Sequence, residues 1–308
     1  MKIETTTQRN IAQITSHWLA ILSLAVAVPS ASATLITYDG LDYTSGDNLH
    51  GSSGGSGWGT NWDNQSGLSS NITVSSPGLS YGSLVVGGNA VTTNSFDSTG
   101  RRLDVSFTGA WDGAGFVSDP FVDQQIDQGN VWGSFLARRN AATATWDGGP
   151  QFSLHRNNIS WFTDTASSAL QITWNATSNV WVASSGASST NLTGSGLGDT
   201  VLFVFKLELS LTPGANNIYV WMDPTGLGGA DLLTSTADAS FTGLDTADAR
   251  FKAFRAYGGG SATNATTFDE VRFGTTFASV TPIPEPSTYV LLGLGLGTLW
   301  WLRRRKVA

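Results

Sequence analysis

Short runs rich in β-branched and aromatic residues recur along the middle of the chain, and two of them, 151–155 and 170–174, alternate apolar and polar residues. Both patterns are typical of β-strands. Turn residues such as Asn216-Asn217 and Asp223-Pro224 separate the runs. No long window places apolar residues at helical spacing, so helices are not expected in the body. Strands are predicted over 131–138, 151–155, 170–174, 201–209, 218–222, 251–257 and 267–273. Many short strands between turns predict an all-β sandwich or barrel.

The N-terminal end departs from this pattern. Lys2 and Arg9 precede an apolar stretch over 18–28, and Ala31-Ser32-Ala33 follows it. A basic start, a short apolar core and small residues in an A-x-A arrangement are the features of a secretory signal peptide. We therefore expect signal peptidase to cleave after Ala33, so that residues 1–33 form a signal peptide.

The C-terminal end departs from it as well. An uncharged run from Tyr289 to Leu302 is followed by Arg303-Arg304-Arg305-Lys306. The positive-inside rule places such cations on the cytoplasmic side, so the preceding chain is expected to be exported. At 1.5 Å per residue the run would span about 21 Å. A bilayer core is about 30 Å thick, so this length suits a transient inner-membrane anchor better than a permanent one.

Pro284, Glu285 and Pro286 stand just before that apolar run. The order of this tripeptide, a short hydrophobic segment and an arginine-rich end (Arg303, Arg304 and Arg305) resembles the PEP-CTERM sorting signal of bacterial exported proteins. The resemblance implies recognition and cleavage by an exosortase, a bacterium with an outer membrane, and a final location at the cell surface or in the extracellular matrix. It covers about the last 28 residues, 281–308, and leaves residues 34–280 as one domain.

The composition of the body restricts its partners. Residues 34–283 contain 19 Asp and two Glu against ten Lys and Arg, and the whole chain has a formal net charge of −7. Nucleic acid is excluded as a partner because its binding depends on clustered cations. The chain has no cysteine, so neither disulfides nor thiolate metal sites contribute to the fold.

A second resemblance covers nearly the whole body. It rests on the opening segment 38–43, the Gly/Trp-rich segment 54–62, the middle strands, and the closing segment 267–276. These segments resemble a recurrent body type of PEP-CTERM proteins with a concanavalin A-like, laminin-G-like jelly roll. In such sandwiches the first and last strands usually pair, which would bring Asp39 close to Asp269.

The carboxylates of the body offer little for catalysis. Retaining glycosidases need two carboxylates about 5 Å apart, and laminarinase-like enzymes of this fold supply them from an E-x-D-x-E strand. Only Glu208 and Glu270 are glutamates here, on separate predicted strands, and both are interpreted as sheet-edge or ion-pairing residues. The body also has only two histidines, His50 and His155, and His155 is predicted at the surface or rim of its strand. We therefore expect no catalytic residues.

Calcium is the metal that the sequence admits, because related sandwiches bind it through Asp carboxylates and backbone carbonyls. The terminal-strand argument makes Asp39 and Asp269 the candidate ligands. The alternative is that Asp39 lies in a turn and that Asp269 pairs with Arg272 or with a backbone amide.

Nine tryptophans lie in the body, and aromatic faces are a usual means of gripping sugar rings. Four of them fall between residues 138 and 182 and could line one face: Trp146, Trp161, Trp174 and Trp181. Burial in the core is the competing interpretation, because tryptophan is largely buried on average.

Three functional hypotheses follow. The first is a non-catalytic surface or biofilm-matrix protein whose sandwich associates with exopolysaccharide. The second is a glycoside hydrolase or lyase that uses aspartates. The third is a purely structural coat domain without a ligand groove. Exposed coplanar aromatic rings would favour the first, two facing carboxylates the second, and neither would favour the third.

Overall fold

The computed structural model describes residues 33–64, 72–93, 98–122, 124–140, 151–156, 168–175, 177–258 and 266–284. The chain divides between Ala33 and Thr34, and the elements below belong to the unit that begins at Thr34. The strands, numbered in chain order, are β1 (Leu35–Asp39), β2 (Asp63–Asn64), β3 (Thr73–Ser75), β4 (Ala90–Thr93), β5 (Ser98–Arg102), β6 (Gly129–Arg139), β7 (Gln151–His155), β8 (Ser168–Asn175), β9 (Val180–Ser185), β10 (Ser188–Leu192), β11 (Thr200–Leu209), β12 (Asn216–Met222), β13 (Ala239–Leu244), β14 (Ala253–Tyr257) and β15 (Thr266–Gly274).

Helices in the described part of the chain are single turns. They are α1 (Ala110–Gly113), α2 (Thr246–Ala249), α3 (Phe277–Val280) and a 3-10 turn over Thr234–Thr236. Helix α3 begins with a capping box, in which the Thr276 side chain accepts from the Ser279 N–H at 3.2 Å. Such short helices reflect the scarcity of helical periodicity in the sequence.

The strands form two antiparallel sheets. The eight-stranded sheet has the order β13-β12-β11-β6-β15-β4-β3, and β1 also pairs with β15. The seven-stranded sheet has the order β10-β9-β8-β7-β14-β5-β2. Large apolar side chains of both sheets meet in one core, as expected when alternate residues of each strand face inward. The predicted all-β jelly-roll sandwich is therefore confirmed.

The core is rich in aromatic rings. Phe135 of β6 lies 4.6 Å from Phe152 of β7 between ring centroids, so these rings join the two sheets directly. A smaller apolar cluster covers the opposite face of the eight-stranded sheet. In this cluster the rings of Trp132 and Trp221 stack with centroids 5.4 Å apart, and Phe277 of α3 packs against the Trp132 ring. Both faces of this sheet are thus partly buried, which explains its nearly continuous apolar strands.

The first and last strands pair as expected. Tyr38 lies opposite Arg272, and Asp39 lies opposite Val271 in the antiparallel register of β1 and β15. The register of β15 against β6 shifts between Asp269 and Arg272, which marks a β-bulge. Glu270 lies within this bulge.

Candidate functional site

A cleft of about 340 Å³ opens at the C-terminal end of β1. We call it the glycine-lined cleft, because five of its nine lining residues are glycines. The set is Tyr38, Asp39, Gly40, Asp42, Tyr43, Gly54, Gly55, Gly87 and Gly88. Two tyrosines and two aspartates supply all of its side-chain polar groups.

Glycine is required where the loops approach β1. Gly55 has a φ of +69°, and a Cβ there would lie 2.0 Å from the Tyr38 carbonyl oxygen. Gly88 has a φ of +63°, and its Cβ would lie 2.7 Å from the Cα of Asp42. Both positions combine a left-handed backbone with contact to main-chain atoms, so any side chain would force the loops apart.

The Asp39 carboxylate lies at the base of the cleft and is saturated by protein donors. Its Oδ2 accepts from Arg101 Nη1 at 2.5 Å, from the Tyr43 hydroxyl at 2.8 Å and from Trp62 Nε1 at 2.9 Å. Its Oδ1 accepts from the Leu41 N–H at 2.9 Å. The side chains of Asp39 and Arg101 are only 2% and 4% exposed. This ion pair joins β1 of one sheet to β5 of the other.

Glu270 forms the adjoining wall at the β15 bulge. It is fully buried and has a φ of +55°, which is uncommon for a residue with a side chain. Its carboxylate accepts from the Gly87 N–H at 2.5 Å and from the side chain of Arg272. The Arg272 guanidinium also lies 5.2 Å from the centre of the Tyr38 ring. Burial raises the pKa of Glu270, and the charge of Arg272 opposes that rise.

Asp269, next to Glu270, holds a second point of the loop over 76–89, to which Gly87 also belongs. It accepts from the Leu79 N–H and from the Glu270 N–H, each at 2.8 Å. Burial, helped by the charge of Glu270, raises the pKa of Asp269 to about 8. Since Leu79 and Gly87 both belong to the loop over 76–89, the two carboxylates of the bulge hold that loop in place.

The geometry does not support the prediction of calcium at Asp39 and Asp269. The two residues lie on paired strands, but their carboxylates share no hydrogen-bond donor. Four protein donors already occupy Asp39, which ends β1 rather than lying in a turn as the alternative interpretation expected. Asp269 accepts from backbone amides, as that interpretation expected. Among the described residues, no group of three or more His, Cys, Asp or Glu side chains is placed to hold a metal ion.

Two of the predicted stacking residues lie in the core. Trp174 is 3% exposed and Trp181 is 1% exposed, and their rings meet edge to face at 5.2 Å. Neither indole presents a face to solvent, so neither can stack on a sugar as predicted. The alternation of β8 and β9 explains the burial, because both residues occupy inward positions. Trp146 and Trp161 lie outside the described residues.

His155 is 5% exposed and contacts the Ser168 hydroxyl at 3.3 Å, so its predicted place at the surface is wrong. The ion-pairing interpretation is confirmed for both glutamates, since Glu208 binds Lys206 at 2.7 Å and Glu270 binds Arg272.

The processing signals fall mostly outside the described part of the chain. Ala33 and Pro284 are described, whereas Ala31, Glu285, Pro286 and the arginines at 303–305 are not. No helix in the described ranges is both long and apolar enough to cross a membrane. The apolar run over 289–302 lies outside those ranges.

Sequence comparison identifies the C-terminal segment. Residues 282–306 match the family model described as the PEP-CTERM protein-sorting motif. The chain carries a PEP-CTERM sorting signal. The PEP-CTERM signal marks an exported protein whose C-terminal segment is recognised by an exosortase. No curated protein matches the chain as a whole.

Solved structures similar to the body are β-rich proteins of low identity. Domain 4 of AbnA, a GH43 extracellular arabinanase from Geobacillus stearothermophilus in complex with arabinotriose, has 15% identity and a TM-score of 0.41, covering 81% of this chain and 97% of that one. Arcelin-5, a lectin-like defense protein from Phaseolus vulgaris, has 9% identity and a TM-score of 0.38, covering 80% and 100%. A sialidase has 10% identity and a TM-score of 0.40, covering 78% of this chain and only 18% of its own length. The fold assignment rests on the strand pairing given above.

Proposed function

We propose that this PEP-CTERM protein is a non-catalytic surface or matrix protein that associates with exopolysaccharide through its β-sandwich. We further propose that the glycine-lined cleft holds one neutral sugar unit. The observation that carries the proposal is the cleft itself, which is concave, is lined by two aspartates and two tyrosines, and is partly preformed by backbone that only glycine allows.

The polar groups of the cleft suit hydroxyl-rich ligands. Asp42 is exposed, and its carboxylate can accept hydrogen bonds from sugar hydroxyls. The Tyr38 and Tyr43 rings add apolar area with a hydroxyl at the tip. Burial raises the pKa of both tyrosines to about 12, so both hydroxyls stay protonated at neutral pH. The Asp42 carboxylate would repel an anionic sugar but not a neutral one.

The same geometry favours binding over hydrolysis. Glycoside hydrolysis needs an acid and a second carboxylate that are both free to reach the sugar. Asp39 is saturated and Glu270 is held by Arg272, so Asp42 is the one carboxylate of this cleft that remains available. A glycosidase or lyase that uses aspartates is the alternative, and it would release reducing ends or unsaturated products from a bound polysaccharide.

Asp42→Ala is expected to weaken saccharide binding by at least about tenfold, because a hydrogen bond to a charged group contributes about 1.5–3 kcal/mol. The test is a glycan-array and polysaccharide pull-down screen of the full chain in mild detergent, with and without calcium. Asp47→Ala is the matched control, since Asp47 is an exposed aspartate of the same loop region outside the cleft.

The outcomes separate the three hypotheses. Saturable binding that Asp42→Ala weakens and Asp47→Ala leaves unchanged supports the proposal. Product release from a bound polysaccharide would replace it with the enzymatic alternative. If the folded protein binds none of the glycans, a structural coat domain is favoured.

A further inference from the structure

Two exposed phenylalanine rings from the loops that flank α1 stack on each other, and an exposed valine follows the second ring in sequence. The rings of Phe107 and Phe121 stack with centroids 4.9 Å apart and an interplanar angle of 28°. Phe107 is 59% exposed, Phe121 is 71% exposed and the adjacent Val122 is 77% exposed. We call these three residues the Phe platform. Single exposed apolar residues are ordinary, but a contiguous aromatic patch usually marks a binding surface.

Local hydrogen bonds hold the loops of the Phe platform in one conformation. The Asp119 carboxylate accepts from the N–H groups of Phe121 and Val122 at 3.0 and 2.9 Å. The Asp112 carboxylate accepts from the N–H of Thr108 at 2.8 Å, and Thr108 has a φ of +63°. A residue held in the left-handed region needs such support. The exposed rings are therefore presented by ordered backbone.

The base of the Phe platform is anchored in the sandwich core. Trp111 of α1 is fully buried, and its Nε1 donates to the Thr37 hydroxyl of β1 at 2.9 Å. Phe116 packs on the same indole at 5.6 Å. On the second loop, the Asp127 carboxylate accepts from the N–H of Ser118 at 3.0 Å. A surface built on such anchors loses little conformational entropy when a ligand binds.

The charge of the loops that carry the Phe platform restricts its ligand. Residues 103–137 contain five aspartates and neither lysine nor arginine. An anionic lipid surface, a nucleic acid or an acidic glycan would be repelled. A second copy of the same platform would bring the same aspartates together. Apolar ring faces beside hydrogen-bond acceptors instead suit a ligand with C–H faces and hydroxyl donors.

We propose that the Phe platform stacks on the C–H face of sugar units in a neutral polysaccharide and is a second contact separate from the glycine-lined cleft. This inference rests on the proposed function. The two surfaces have no residue in common. Two contacts on one polymer convert the second binding event into an intramolecular one, so retention on a polymer exceeds the affinity for a short oligosaccharide.

The test compares polymer retention with oligosaccharide binding. Affinity electrophoresis and pull-down would use the full chain in mild detergent, with xylan, dextran and amorphous cellulose as neutral probes and alginate as the anionic probe. The variant Phe107→Ala/Phe121→Ala is expected to lose about tenfold of its retention on the neutral polymer that the wild type binds best. Its affinity for the matching short oligosaccharide should change less than twofold.

Control variants keep the result interpretable. Leu211→Ala/Leu233→Ala removes two exposed apolar side chains elsewhere, at 55% and 70% exposure, and should retain wild-type binding. Phe107→Tyr/Phe121→Tyr keeps both ring faces and should also retain it. Equal urea midpoints for all variants would show that the fold is unchanged.

Four results would count against the inference. If Asp42→Ala lowers polymer retention and Phe107→Ala/Phe121→Ala does not, the Phe platform is not a saccharide contact and the proposed function stands. If the wild type binds no neutral polymer, both proposals fail together. If the phenylalanine pair instead controls binding to phosphatidylcholine vesicles, the ligand is a lipid surface. Stronger retention on alginate than on the neutral polymers would overturn the charge argument.

Discussion

Arg101→Met is expected to lower the free energy of unfolding by about 3–5 kcal/mol, the usual cost of removing one partner of a buried ion pair. The Asp39 carboxylate would remain buried at 2% exposure without its cation. Arg101 also donates from Nε to the Thr60 carbonyl and from Nη1 to the Gly54 carbonyl, so loop contacts around the cleft would weaken too. Urea unfolding followed by tryptophan fluorescence measures the change.

Arg102→Met is the matched control for this prediction. Arg102 is the next residue of β5, half-buried on the opposite face of the strand. A double variant, Asp39→Asn/Arg101→Met, removes the stranded charge and should be more stable than Arg101→Met alone by at least about 1 kcal/mol. Equal unfolding free energies for Arg101→Met and Arg102→Met would show that the ion pair does not join the sheets energetically.

Asp269→Asn is expected to change how the stability depends on pH. In the folded protein the pKa of Asp269 is raised from 3.8 to about 8, so the native state keeps a proton there that the unfolded state loses. The contribution of Asp269 to the free energy of unfolding is therefore fully present below about pH 4 and is lost as the pH rises through 8. The wild-type unfolding free energy should fall with rising pH in that window.

The asparagine variant cannot titrate at this position. The difference in unfolding free energy between Asp269→Asn and the wild type should therefore rise from pH 4 to pH 8, by at most about 1.4 kcal/mol per pH unit. At pH 4 the variant should be slightly less stable, because its amide can accept from only one of the Leu79 and Glu270 N–H groups. Urea midpoints at several pH values measure this difference.

The control for the pH experiment is Asp47→Asn, an exposed aspartate. Its stability should run parallel to that of the wild type across the whole range. Glu270 remains in the Asp269→Asn variant, and burial raises its pKa as well, so a residual fall with pH is expected there. A constant difference between Asp269→Asn and the wild type would mean that Asp269 is already ionised in the folded protein at pH 4.

The strands were predictable because their signal is local. Alternation located β7 and β8, and turn residues on either side of an apolar run located β12. The pairing of β1 with β15 followed from the resemblance to a jelly roll. The same alternation contained the information that Trp174 and Trp181 face inward. Large aromatic residues at inward positions fill the core, so their number on a segment says little about sugar binding.

The cleft depends on contacts between distant residues and was not predictable. Arg101 lies 62 positions from Asp39 and in the other sheet, so nothing local indicates their ion pair. Glu270 acquires its left-handed backbone only through the bulge against β6. For the Phe platform a signal did exist: Phe107 and Phe121 stand among Ser, Thr, Gly, Asp and Pro residues rather than in an alternating run. Aromatic residues in turn sequences are expected at the surface.

The position of β15 affects when the protein can fold during export. This strand pairs with β6, β4 and β1, yet it ends at Gly274, eight residues before the sorting motif begins at residue 282. In a chain threaded across the membrane from its N-terminus, neither β1 nor β4 can pair with β15 until that strand has crossed. Long-range closure of this kind is slow. Under such export the eight-stranded sheet is completed only when the PEP-CTERM signal reaches the membrane, so the exosortase would encounter a chain that is only then able to finish folding.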